Sequence, residues 1–72
     1  MKYKVTFKAY GSVVSSYTLP TEYEAISAAK SIAAKALGYR SSEITPEKDS
    51  DTIKFFDNNG KKVRGITIKI VG

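Results

Sequence analysis

The chain holds 72 residues, 42% of them hydrophobic and 26% charged, with no cysteine and no histidine. A chain of this length makes one domain, residues 1–72, near the lower limit for folding on an apolar core alone, with a stability of about 3–5 kcal/mol. The missing cysteines exclude disulfides and thiolate metal sites, the missing histidines remove the usual neutral-pH proton carrier, and the net charge of +5 favours polyanionic partners.

Met1-Lys2-Tyr3-Lys4 leads directly into a strand pattern, with no secretory h-region behind it. From Lys2 to Tyr10, Tyr3, Val5, Phe7 and Ala9 alternate with Lys2, Lys4, Thr6 and Lys8, a period of two. Gly11-Ser12 reads as a turn, and Val13 to Leu19, rich in β-branched and aromatic residues, reads as a second strand. So short a connection makes the two a hairpin. Leu19-Pro20 ends that strand.

Thr21 is a helix N-cap, with Glu24 three residues on completing a capping box. The spacing of Ala25, Ile26, Ala29, Ile32, Ala33, Ala36 and Leu37 predicts a helix from about Glu22 to Leu37, stopped by Gly38. An alanine-rich stripe lets that helix lie close to a sheet. Val5, Phe7, Ile26, Ile32, Ile53, Phe55, Ile66 and Ile68 are the expected core.

Tyr39 to Asp51 is polar, with Ile44 as its one clear apolar anchor. Glu43 to Pro46 suits a short edge strand, and Glu47 to Asp51 a charged loop. Thr52 to Asp57 is a further strand, and Asp57-Asn58-Asn59-Gly60 a strong turn signal. Lys61 to Val71 is the last strand. Its alternation slips by one residue between Val63 and Ile66, which places a β-bulge at Gly65.

The expected class is therefore α+β: one helix packed on one face of a four- or five-stranded, mainly antiparallel sheet, β-β-α-β-β. If Ile44 lies outside any strand, the alternative is a β-grasp-like mixed sheet with its first and last strands central and parallel.

Little in the chain can carry chemistry. No serine has a histidine base to activate it, and the glycines are isolated rather than gathered into a phosphate loop. Glu43, Glu47, Asp49 and Asp51 lack the glycine and closing glutamate of a calcium loop. No enzymatic activity, cofactor or metal is expected. The basic residues stand out instead. With Val5 and Phe7 facing the helix, Lys4, Thr6 and Lys8 face away. The same alternation turns Lys54, Phe56, Thr67 and Lys69 outward. Lysine supplies phosphate contacts and an aromatic ring can stack a base. An uncovered sheet face must be polar in any case, so the pattern suits either a contact surface or a solvated one. Lys61, Lys62 and Arg64 form a second basic group beside the Asn58-Asn59-Gly60 turn.

Ala25-Ile26-Ser27-Ala28-Ala29-Lys30-Ser31-Ile32-Ala33-Ala34-Lys35, followed by Asp57-Asn58-Asn59-Gly60-Lys61-Lys62-Val63, resembles small phage-encoded proteins. Among these the chain is most similar to the basic anti-CRISPR inhibitors of the type I-F surveillance complex. The resemblance implies a non-enzymatic protein that occupies a nucleic-acid groove on its target. It assigns partner contact to Lys30 and Lys35. Ser31 stands where a further basic residue would strengthen that surface.

The function expected is that of a small binding protein of phage or mobile-element origin, acting in the cytoplasm as a monomer or homodimer. It would occupy a surface on a nucleoprotein complex or on nucleic acid, with no membrane role. The alternative is a structural or self-associating domain with no nucleic-acid role.

Overall fold

Alternating side chains in Lys2–Ala9 and β-branched residues in Ser12–Leu19 give two antiparallel strands, β1 and β2. The computed structural model, which describes all residues from Met1 to Gly72, joins them through Tyr10-Gly11. Both turn residues have positive φ, 54° at Tyr10 and 77° at Gly11, as a tight hairpin turn of the primed kind demands. The turn thus lies one residue earlier than the sequence predicts, and Ser12 opens β2. Tyr10 takes a conformation that bulky residues avoid.

Thr21 caps helix α1, Glu22–Ile32. Its hydroxyl oxygen accepts from the Glu24 N–H at 3.1 Å. The same hydroxyl donates to the Glu24 carboxylate at 3.1 Å, so Glu24 reaches the Thr21 side chain rather than its backbone. The helix continues to Leu37 as predicted, but its last turn, Ala33–Leu37, is π-helical and closes on Gly38 at φ 77°. A wider turn rotates the residues after Ala33 off the apolar stripe. Ala36 and Leu37 are accordingly exposed.

A short 3-10 turn, Ser41–Glu43, leads into β3, Ile44–Asp49. The Glu43 carboxylate ties this turn by accepting from the Arg40 N–H at 2.7 Å. Strand β4, Thr52–Asp57, and strand β5, Lys62–Val71, complete the sheet. The predicted charged loop over Glu47–Asp51 is corrected here: Glu47, Lys48 and Asp49 are strand residues paired with Lys54, Ile53 and Thr52. Only Ser50-Asp51 turns.

The strand order is β2-β1-β5-β4-β3, with every neighbour antiparallel. The fold is α+β with one helix on a five-stranded antiparallel sheet, and the parallel β-grasp alternative is not formed. Gly65 makes the predicted bulge. Its φ is +86°, and a Cβ built there would lie 2.5 Å from the Lys8 carbonyl oxygen. Only glycine lets β5 pass so close to β1.

The core lies between α1 and the inner sheet face. It consists of Tyr3, Val5 and Phe7 from β1, Ala25, Ala29 and Ala33 from the helix, and Ile44, Ile53, Phe55, Val63, Ile66 and Ile68 from the other strands. Ile26 and Ile32, expected at its centre, are half-buried and pack against its margin. The alanines occupy the line of closest approach, because a methyl group lets the helix axis sit near the sheet, and the larger isoleucines flank it.

Candidate functional site

The outer sheet face carries no helix, and its side chains follow from the register. Lys4 lies directly opposite Lys69 across β1 and β5. Lys4 also faces Thr18 on β2, and Lys69 faces Thr52 on β4. In the next row, Ser16, Thr6, Thr67, Lys54 and Glu47 line up across all five strands. Lys8 continues the β1 column opposite Val13, and Lys2 begins it opposite Val71. The structure therefore brings Lys4, Lys8, Lys54 and Lys69 to one face, as alternation predicts. Lys2 belongs with them and was missed, although the same alternation reveals it.

This face is electrostatically one-sided. Its acids are Glu47 and Asp49, both on the edge strand β3. At its centre Lys4 and Lys69 stand with side chains about 5 Å apart at their Cβ atoms and no carboxylate between them. Like charges in direct opposition destabilise a sheet. The molecule's single ion pair lies on the other side of the sheet, where Lys48 Nζ meets Glu22 Oε1 at 3.0 Å. The hydrogen bond and charge of Glu22 raise the Lys48 pKa above the ordinary lysine value. On the outer face Lys54 stands opposite Glu47, and no lysine there forms an ion pair.

Phe56 is half-buried and opposes Lys62 in the β4–β5 register, which sets a ring beside a cation. Lys61, Lys62 and Arg64 are exposed and line an open concavity of about 660 Å³ with Leu37, Tyr39, Asp57 and Asn59. Asp57 is committed to the turn: its Oδ1 accepts from the N–H groups of Asn59 and Lys61, each at 2.9 Å. Sequence reasoning missed this concavity. Its wall is the π-helical turn and the Gly38-Tyr39 exit, and neither leaves a periodic signal.

Lys30 and Lys35 sit on the helix side and share no surface with Lys4 and Lys69. Lys30 is half-buried, while Lys35 is exposed beside Tyr17, Ala28, Ser31 and Ile32. The structure thus separates the basic residues into three groups: the open face, the hairpin mouth and the helix. Glu43, Glu47, Asp49 and Asp51 do not converge, because Glu43 turns back to Arg40 and Glu47 faces Lys54. No helix is long and apolar enough to cross a membrane. No protein-family model matches the chain, and comparisons with curated proteins and with solved structures give no significant match.

Proposed function

We propose that the protein is a small non-enzymatic binding protein whose outer sheet face occupies a polyanionic surface, on nucleic acid or on a nucleoprotein complex. The observation that carries this is the Lys4–Lys69 pair at the centre of a face whose acids, Glu47 and Asp49, are confined to the edge strand β3. A sheet built only for stability gains by placing an acid or a threonine opposite one of these lysines. A face that meets phosphates gains from holding both, because each phosphate between them relieves the repulsion and releases counterions. Thr6, Thr67, Thr18 and Ser16 supply hydroxyl donors around the lysines, and Phe56 offers a ring at the margin.

A cytoplasmic site of action and a phage-encoded, anti-CRISPR-like role belong to this reading as proposals. They rest on the resemblance of the helix and last hairpin, and on a contact surface suited to a nucleic-acid groove. The open face carries the contact, and Lys30 and Lys35 are secondary to it because they lie on the other side.

The test is the variant Lys4→Gln/Lys8→Gln/Lys54→Gln/Lys69→Gln against Lys30→Gln/Lys35→Gln, each titrated with a fluorescent single-stranded oligonucleotide over a range of salt. The first variant should keep its far-UV spectrum and melt cooperatively. Its log–log salt slope should shrink by about 3, four contacts at roughly 0.7 each. The helix variant should keep most of the slope. Equal slopes for parent and face variant would refute the assignment.

A further inference from the structure

Strand β2 is one edge of the sheet, and it differs from every other part of the surface. From Ala9 to Thr21 no residue is charged, in a chain with twelve basic and seven acidic residues. Val13, Val14 and Tyr17 are 56%, 60% and 52% exposed. The opposite edge, β3, carries Pro46, Glu47, Lys48 and Asp49. Proline and charge are the devices that keep an edge strand from pairing. One edge is protected and the other is not.

We propose that β2 is a self-association edge: two copies pair β2 to β2, antiparallel, about a twofold axis perpendicular to the sheet. A strand that docks on β2 must be uncharged and carry small or β-branched side chains on both faces. β2 is itself such a strand. Although each chain carries +5, this pairing brings no two charges into direct opposition, because Lys4 and Lys8 lie one strand back from the seam. Pro46 and its charged neighbours block β3, so β2 of one copy cannot add to β3 of another, and open-ended growth gives way to a closed pair.

The details of β2 fix where the seam lies. The register slips between Phe7 and Lys8, leaving Val14 unpaired with β1 as a bulge. The longest uninterrupted stretch of β2 open to a new partner is therefore Ser15–Leu19. An axis perpendicular to the sheet keeps each face on its own side, so opposed residues share a face. That centres the pair on Ser16 or on Tyr17. Ser15 and Ser16 are small enough for close strand approach. On the helix side Tyr17 borders a shallow groove of about 270 Å³ with Ala28, Ser31, Ile32 and Lys35, which has room for the second copy's Tyr17. Both helices then lie on one side of the joined sheet, and both lysine faces form one surface on the other.

This inference does not rest on polyanion binding, and its test is separate. Mass should be measured by light scattering or sedimentation over a concentration series at low and high salt. The parent should be a dimer that dissociates on dilution, and salt should not weaken it. Ser16→Lys/Tyr17→Lys should be a folded monomer. The chain has no cysteine, so single-cysteine variants give a clean second measurement. Ser16→Cys or Tyr17→Cys, whichever residue the axis passes through, should form a disulfide-linked dimer under mild oxidation, and Ser50→Cys, in the turn at the end of β3, should not. A parent that is monomeric at every concentration overturns the proposal, including the case where β2 takes a strand from a different protein. So does a folded lysine variant that stays dimeric. If that variant does not fold, cross-linking of both Ser16→Cys and Tyr17→Cys no greater than that of Ser50→Cys overturns it.

Discussion

Replacing Lys4 with glutamate should make the protein more stable and worse at binding polyanions. Lys4 faces Lys69 directly, and neither forms an ion pair. Lys4→Glu removes a like-charge opposition and creates an attractive pair, each step worth a few tenths of a kcal/mol to about 1 kcal/mol. The sum is about 1 kcal/mol at low ionic strength, which for a domain of this size raises Tm by roughly 4–8 °C. The pair is exposed, so added salt should shrink the gain. Thermal melts followed by circular dichroism at low and high salt measure this. Titration of a labelled oligonucleotide over the same salt range should show weaker binding and a log–log slope smaller by about 1. A Tm that stays the same or falls at low salt would refute the placement of the two lysines. A higher Tm with unchanged binding would keep the geometry and refute the function assigned to the face.

Gly65→Ala should cost about 2–3 kcal/mol, because it combines a positive φ with a Cβ 2.5 Å from the Lys8 carbonyl oxygen. A drop in Tm of roughly 10–20 °C checks it. Phe55→Ala empties the largest fully buried side chain and should cost about 3–5 kcal/mol, enough to leave the chain largely unfolded by circular dichroism. Glu22 raises the Lys48 pKa, so their pair favours the fold below the ordinary lysine value and stops doing so as pH climbs through the raised one. The difference in denaturation midpoint between the parent and Lys48→Gln should accordingly be constant near neutrality and vanish at strongly alkaline pH.

Where one physical signal dominated, the sequence was legible. Alternation in β1, β4 and β5 located both faces, Thr21 with Glu24 located the helix start, and the slip at Gly65 located the bulge. β3 was only half legible, because its single buried residue is Ile44. Pro46 is half-buried, and Lys48 points to the helix side to meet Glu22, so no apolar alternation marks the strand. β2 misled in the other direction. Val13, Val14 and Tyr17 read as strand residues, yet all three are exposed: Val13 lies opposite Lys8 on the uncovered outer face, Val14 is the bulge, and Tyr17 faces the helix side at the open edge of the sheet. The alanines were read as a close-packing stripe, but which of Ala25 and Ile26 sat at its centre depended on the sheet beneath. Of the candidate site, the open face was visible in alternation alone, and its central like-charge pair needed the register.

The strand order also governs how the domain assembles. β1–β2 is a local hairpin and β3–β4–β5 a local meander, so each can form with short loops to close. What unites them is the seam between β1 and β5, whose partners run from Lys2 opposite Val71 to Phe7 opposite Ile66, nearly the full length of the chain apart. Long-range pairing of that kind sets the folding speed, because its loop entropy is lost before its contacts are gained. The seam is also where Lys4 meets Lys69. Their repulsion opposes docking of the two units, and an anion bridging them would hold the units together. A bound polyanion should therefore act chiefly on the rate of unfolding, lengthening the lifetime of the native state.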